Sequence, residues 1–176
     1  SFTASACTTL NVTSSFVING FNNASITMQA LTTASIQYLL NDIANLTQLL
    51  LPVLQSSLSL NNTVINCNID LPAITGGIAC YGCSGSISSI SANKPSSINI
   101  AGLLNLKNLI LHNLSAPSVS STSFGSSASN YTGYNNRAAG TNALIVPSNA
   151  TGFDTGYWLS PLCDANCGGF TLQKTL

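Results

Sequence analysis

The cysteines are the residues whose spacing is most suggestive of chemistry, because four of the six form two close pairs. One pair is spaced C-x-x-C and the other C-x-x-x-C. An even number of cysteines in a chain with no other sign of a cytosolic origin favours three disulfides, with the connectivity left open. Buried free thiols and a zinc site built from the two close pairs are the alternatives, and we expect no metal. The six are Cys7, Cys67, Cys80, Cys83, Cys163 and Cys167.

Groups for acid–base or nucleophilic catalysis are scarce. The chain has one histidine, His112, and four acidic residues. His112 precedes a glycosylation sequon that must be reachable, so we expect it to face solvent. Paired carboxylates could come only from Asp70, Asp154 and Asp164, each of which fits a turn or a strand edge more simply. The sequence contains neither a G-x-S-x-G elbow nor a phosphate-binding glycine loop, and we therefore predict that the protein is not an enzyme.

Asparagine in the N-x-S/T sequon offers a different chemistry, the covalent attachment of sugar. Random order at this composition accounts for most of the sequons, but a neutral, apolar-rich chain also needs something to hydrate its surface. We therefore expect several sequons to carry N-glycans, and no cofactor beside them. The sequons begin at Asn11, Asn23, Asn45, Asn61, Asn113, Asn130 and Asn149.

The low charge limits the partners. Charged residues make up 5% of the chain, and the four basic ones are too scattered to bind a nucleic-acid backbone or an anionic bilayer. The longest apolar run, near Leu49, is broken by Pro52 and is too short to span a membrane. We predict no nucleic acid and no membrane insertion. The cysteines and sequons indicate a secreted, extracellular or cell-surface protein, and we expect a mature chain whose export signal has been removed.

The elements that would carry these groups follow from hydrophobic periodicity. Residues 1–18 read as an extended N-terminal arm or strand, and 19–176 as one β-rich domain. Between residues 25 and 51 apolar side chains recur at three- and four-residue steps without glycine or proline, which predicts a long amphipathic helix that ends at Pro52. The Ser/Gly/Asn-rich stretch 115–142 is expected to be a surface tract.

Strands are predicted in the rest of the domain. Strict alternation over 65–71 puts Cys67 on a buried face, and further strands are expected near 87–90, 143–146, 153–159 and 170–176. Residues 98–114 resemble one leucine-rich-repeat phrase, but without a second copy they predict a buried strand or strand pair. The predicted fold class is α+β: a β-sandwich or jelly-roll-like domain with one long helix near 25–51, stabilised by disulfides.

With its low charge, its sequons and its possible arm, the chain resembles subunits of glycosylated extracellular fibrils and pilus-like surface filaments. The resemblance implies a structural protomer that forms a homopolymer, assembling head-to-tail, with strand exchange by residues 1–18 as a possible contact. The alternative function is a secreted adhesion, glycan- or ice-binding module. In that case Tyr131, Tyr134, Tyr157 and Trp158 could stack on sugar rings, although core packing explains these aromatic residues more simply.

Overall fold

The chain folds into short β-strands that stack in parallel. A computed structural model describes residues 2–3, 9–10, 16–28, 30, 33–34, 38–101, 103, 105–120, 123–124, 142–159 and 170–176. Every strand pairing within these ranges is parallel. The elements are β1 (Phe2–Thr3), β2 (Thr9–Leu10), β3 (Phe16–Asn19), β4 (Ala24–Thr27), β5 (Thr33–Ala34), β6 (Tyr38–Asn41), β7 (Leu46–Leu50), β8 (Leu58–Asn61), β9 (Ile69–Leu71), β10 (Ile78–Tyr81), β11 (Ser89–Ala92), β12 (Ile98–Asn99), β13 (Asn108–Leu111), β14 (Ala143–Val146), a 3₁₀ helix (Gly156–Leu159) and β15 (Thr171–Lys174).

The strands form three larger sheets and one short pair. Sheet 1 has the order β1-β4-β7, sheet 2 the order β12-β10-β8-β6-β3, and sheet 3 the order β15-β14-β13-β11-β9, while β2 pairs with β5. Neighbours along the chain, such as β8, β9 and β10, lie in alternate sheets, and each strand pairs with its equivalent one coil away. The backbone therefore winds as a β-solenoid.

Equivalent positions recur about every 20 residues through the first coils. The register of sheet 2 aligns Val17, Leu39, Ser59, Ala79 and Asn99. The register of sheet 3 aligns Ile69, Ile90, Leu109, Leu144 and Leu172. The later steps are longer because extra segments separate β13, β14 and β15.

Strand alternation decides which side chains enter the core. In β9, Ile69 and Leu71 are buried and Asp70 between them is exposed. In β13, Leu109 and Leu111 are buried in line with them. Full burial of one such side chain is favourable by about 1.5–3 kcal/mol, so stacked aliphatic columns along the axis hold the coils together.

One corner of the coil repeats a left-handed turn. The φ angles at this corner lie between 46° and 73°. The backbone N–H of Asp42 donates to Asn61 O of the next coil at 3.0 Å, and that of Asn62 donates to Tyr81 O at 2.8 Å. Glycine, asparagine and aspartate adopt this conformation most easily, which explains the residue types found there. The corner residues are Gly20, Asp42, Asn62 and Gly82.

A ladder of asparagines joins the coils just after this corner. Asn45 Nδ2 donates to Asn23 Oδ1 at 2.7 Å, and Asn66 Nδ2 donates to Asn45 Oδ1 at 2.8 Å. The Ser86 backbone N–H continues the ladder by donating to Asn66 Oδ1 at 2.9 Å. These amide contacts link four successive coils by hydrogen bonds at an exposed edge.

The long helix predicted over 25–51 is wrong. The described residues of this range form β4, β5, β6 and β7, and Asp42 has left-handed backbone in their midst. The apolar three- and four-residue steps arise because inward positions of short strands alternate with inward-facing corner residues. Leu49 is buried, whereas its neighbour Leu50 is only half-buried. The core residues that the structure describes in this range are Ile26, Met28, Leu40, Ile43, Leu46, Leu49 and Leu51.

The predicted sandwich or jelly roll is also wrong, because the strands are parallel and wind around one axis. No disulfide joins the cysteines that the structure describes, because Cys67, Cys80 and Cys83 are free thiols. Cys80 occupies a fully buried, inward position in register with Leu60. Cys7, Cys163 and Cys167 lie outside the described residues.

Several shorter predictions can be compared directly with the strands. The strand at 143–146 is confirmed as β14, and the one near 170–176 contains β15. The range 98–114 holds two strands, β12 and β13, which lie in different sheets and do not pair with each other. Only the end of 65–71 is a strand, β9, and 87–90 overlaps β11. The strand predicted at 153–159 is wrong, because its second half is the 3₁₀ helix.

The N-terminal strands β1, β2 and β3 pair with β4, β5 and β6, so they belong to the first coil. Most of the tract 115–142 lies outside the described residues. Within the described residues, no helix is long and apolar enough to cross a membrane.

A serine-lined groove as the candidate binding site

A concave groove of about 430 Å³ crosses the outer side of sheet 2. It runs from the coil that contains β8, across β10 and β12, to the segment that follows β13 in the next coil. Besides serines, the lining contains Tyr81, Asn99 and five small or apolar residues, which are Gly77, Ile78, Ala79, Ile98 and Val119. The serines that line the groove are Ser57, Ser96, Ser97, Ser118, Ser120 and Ser123.

The floor begins with a column of equivalent positions on successive coils. The strand register aligns Ser57, Gly77 and Ser97, and an isolated bridge aligns Ser97 with Ser118. Ser57 Oγ accepts a hydrogen bond from the Gly77 backbone N–H at 2.9 Å. A Cβ at Gly77 would lie 2.5 Å from Ser97 Oγ, so glycine lets this hydroxyl keep its position against the strand. Coils are about 4.8 Å apart, so the column spans about 14 Å.

An insertion bounds one end of the groove. The Ile98 N–H donates to Ser118 O at 3.0 Å, and the Ile100 N–H donates to Ser123 O at 2.7 Å. A step of two residues, from Ile98 to Ile100, thus faces a step of five, from Ser118 to Ser123, on the adjoining coil, which is the mismatch of a bulge. Ser123 N–H donates to Ser120 O at 3.1 Å, and Ser120 N–H donates to Ser123 Oγ at 2.8 Å, which closes this turn on itself.

An aromatic cluster fixes the insertion in place. Trp158 Nε1 donates to the carbonyl oxygen of Pro117 at 3.0 Å, and its ring lies 5.1 Å from Phe124 and 5.0 Å from Phe153, centroid to centroid. All three rings are buried. Such ring pairs add about 0.5–1.5 kcal/mol beyond area burial, so the segment between Pro117 and Phe124 is held from both ends.

The groove offers neutral hydrogen-bonding groups and one aromatic ring. The described residues that line it carry no carboxylate, amine, guanidinium, imidazole or thiol. Tyr81 is 51% exposed, so its ring is accessible from the groove. Hydroxyl and amide groups both donate and accept hydrogen bonds, and an exposed aromatic face can pack on an apolar sugar face. Lys94 precedes Ser96 by two residues but does not line the groove.

The predicted cysteine site is part of the core rather than of the groove. Hydrogen bonding to Cys83, together with complete burial, raises the pKa of the Cys80 thiol. Burial raises the pKa of the Cys67 thiol, against a hydrogen bond from the Leu49 backbone. A raised pKa keeps the Cys67 and Cys80 thiols protonated, and protonated thiols are poor nucleophiles and poor metal ligands. Hydrogen bonding to Cys80 lowers the pKa of the Cys83 thiol, which is itself buried. The described part of the chain contains no cluster of three or more potential metal ligands.

The sequons fall in different surroundings. Asn23 and Asn149 are exposed, and Asn45 is half-buried within the asparagine ladder. Asn61 is half-buried, with a buried Oδ1 that has no partner. Asn113 is 8% exposed, and its Nδ2 donates to Pro95 O at 3.0 Å. Asn11 and Asn130 lie outside the described residues. Glycan occupancy stays a prediction at every one of them.

The remaining candidates are dispersed. His112, Asp70 and Asp154 are all exposed, and Asp164 lies outside the described residues. Of the aromatic residues proposed to stack on sugars, Trp158 is in the core and Tyr157 is exposed away from the groove. Tyr131 and Tyr134 lie outside the described residues.

Sequence reasoning missed the groove because its residues lie on four different coils. A signal was nonetheless present, since Ser57, Gly77, Ser97 and Ser118 follow one another at intervals of about 20 residues, the length of one coil. Comparison of the chain with itself at that interval would align them.

Comparisons of the chain with protein-family models, with curated proteins and with solved structures gave no match.

Proposed function

We propose that this chain is an extracellular, non-catalytic binding module that holds an uncharged polysaccharide in the serine-lined groove. The observation that carries the proposal is the groove itself, whose six serines, Asn99 and exposed Tyr81 surround a volume typical of ligand sites. Sugars present a hydroxyl on almost every carbon, so a wall of hydroxyl and amide groups matches them. These hydrogen bonds would orient the sugar, and stacking of a sugar ring on Tyr81 would add apolar contact.

Loss of one exposed tyrosine ring provides the test. Tyr81 and Tyr157 are 51% and 52% exposed, but only Tyr81 lines the groove. In affinity electrophoresis through gels that contain neutral glucan, mannan or xylan, we expect at least one polysaccharide to retard the native protein. Tyr81→Ala should remove that retardation, and Tyr157→Ala should keep it. If no neutral polysaccharide retards the protein, or if both variants behave alike, the proposal is wrong.

The filament predicted from composition remains a prediction. Strand exchange by residues 1–18 would have to displace the pairing of β1, β2 and β3 with β4, β5 and β6. Ice binding gains less support than glycan binding, since the outward positions of sheet 1 are irregular: Thr27 aligns with Leu50, and Ser25 Oγ donates to Gln48 Oε1 at 2.7 Å.

A further inference from the structure

We infer that the serine-lined groove selects an extended chain of neutral sugars, aligned with the solenoid axis, and rejects a chain of the same shape that carries uronic acids. This inference rests on the proposed function and specifies its ligand. It follows from two features of the groove, the charge of its lining and the direction of its columns.

Among the described residues of the lining, no side chain carries a charge that could neutralise a carboxylate. The nearest base along the chain, Lys94, is exposed and outside the lining. A carboxylate that loses water on entering such a groove gains hydrogen bonds from serine hydroxyls but no opposite charge, and the desolvation cost remains in part uncompensated. A neutral hydroxyl at the same position has a far smaller desolvation cost.

The direction follows from the register. Ser57, Gly77, Ser97 and Ser118 form one line along the axis, and Ala79 and Asn99 form the next line on the same outer face. The side chains on this floor are small, so a ribbon-shaped ligand can lie along both lines at once. Polar groups repeat with the coil spacing of about 4.8 Å in this direction, whereas along a single strand the outer face offers only one or two of them.

The insertion limits the length of chain that is bound. The turn closed by Ser120 and Ser123 stands at one end, and Ser57 marks the other. A ligand longer than about 14 Å therefore gains no further contacts within the groove. Affinity should rise with oligosaccharide length up to that span and then become constant.

The test compares one polysaccharide with its own charged derivative. The probe is the neutral polysaccharide that retards the full chain most strongly, used before and after oxidation of its primary hydroxyls to carboxylates. We expect the oxidised form to bind at least about tenfold more weakly. Because no ion pair is involved, binding of the neutral form should not change between low and high salt.

Two lysine variants test whether the groove causes the weaker binding of the oxidised polysaccharide. Ser96 is exposed and lines the groove. Ser96→Lys should therefore strengthen binding of the oxidised polysaccharide and reduce the difference in affinity between the two probes. High salt should restore the difference. Ser148→Lys adds the same charge at an exposed position outside the groove and should leave the difference unchanged.

The outcomes separate the two proposals. Equal binding of both probes, a salt-dependent affinity for the neutral probe, or an affinity that keeps rising beyond the four-coil span overturns the ligand assignment while the binding function stands. If no neutral polysaccharide binds, the proposed function fails and this inference fails with it.

Discussion

The indole of Trp158 donates a hydrogen bond to the carbonyl oxygen of Pro117, 41 residues earlier in the chain, across 3.0 Å. The bond is buried and crosses from the 3₁₀ helix to the segment that ends the serine-lined groove. It ties the shape of the groove to the packing of the last described coils.

Trp158→Phe should therefore loosen the end of the groove. Phenylalanine keeps an aromatic ring but leaves the Pro117 carbonyl without a partner, at an expected cost of about 1–3 kcal/mol in the free energy of unfolding. Hydrogen exchange measured by NMR should accelerate at the Ser118 and Ser123 amides. Tyr157→Phe, at an exposed neighbouring position, is the control and should change neither quantity. Unchanged exchange in Trp158→Phe would show that the bond does not hold the insertion.

Gly85 tests how closely the coils approach each other. A Cβ at this position would meet the backbone N, C and O atoms of Ile65 in the preceding coil, and the φ of Gly85 is 117°. We expect Gly85→Ala to lower the free energy of unfolding by about 3 kcal/mol, because backbone cannot move aside as a side chain can.

Gly156→Ala is the matched control for this change. Gly156 also has a positive φ, 58°, but a Cβ there would meet no atom within 4 Å. Gly156→Ala should lower the free energy of unfolding only through the strained backbone conformation, by about 1 kcal/mol. Urea denaturation of both variants measures the difference, and equal losses would contradict the close approach of the coils at Ile65.

The buried thiol of Cys80 predicts a loss of stability at alkaline pH. Its pKa is raised in the folded state by hydrogen bonding to Cys83 and by burial, so above the ordinary thiol pKa of about 8.5 the unfolded chain releases a Cys80 proton that the folded chain retains. Unfolding is then favoured as pH rises, by up to about 1.4 kcal/mol per pH unit for this group. The same hydrogen bond lowers the pKa of the Cys83 thiol, and that shift acts in the opposite direction on stability.

Cys80→Ala should flatten this dependence between pH 8.5 and 9.5 in reducing buffer, even though the smaller side chain lowers stability at neutral pH. Cys67→Ala should flatten it less, because Cys67 is only half-buried. Urea denaturation at several pH values gives the slopes. The same slope in the native chain and in Cys80→Ala would contradict the assignment.

Asn113 and Asn149 should differ in glycosylation. The Nδ2 atom that would carry the sugar is engaged with Pro95 O in Asn113, which is 8% exposed, whereas Asn149 is exposed. After expression in a eukaryotic secretory system, peptide mass spectrometry following deglycosylation in heavy-oxygen water should detect sugar at Asn149 and none at Asn113. A glycan at Asn113 in the folded fraction would refute the buried contact.

The sequence predicts some of the short strands and does not predict how they wind. The strand at 143–146 is apolar and short, and these properties alone specify β14. Over 25–51, by contrast, helix periodicity and the recurrence of inward positions in short coils place apolar residues at similar steps. Only pairing with residues about 20 positions away distinguishes a helix from short stacked strands, as in the alignment of Leu40 with Leu60.

The site depends even more on long-range register. Ser57, Ser97 and Ser118 have no local pattern that separates them from other serines, and they become neighbours only because coils stack. The cysteines are the opposite case, because their local spacing predicts a site although Cys80 lies in the core. Cys80 is conspicuous by its C-x-x-C spacing, yet it serves as a small core residue in line with Leu60.

The most direct test of the binding site is an NMR titration of the isotope-labelled chain with a neutral oligosaccharide cut from the retained polysaccharide. The account predicts that the largest amide shifts occur at Gly77, Ser97 and Ser118, on three adjoining coils of the groove. Shifts centred elsewhere on the solenoid, or none at saturating sugar, would contradict it.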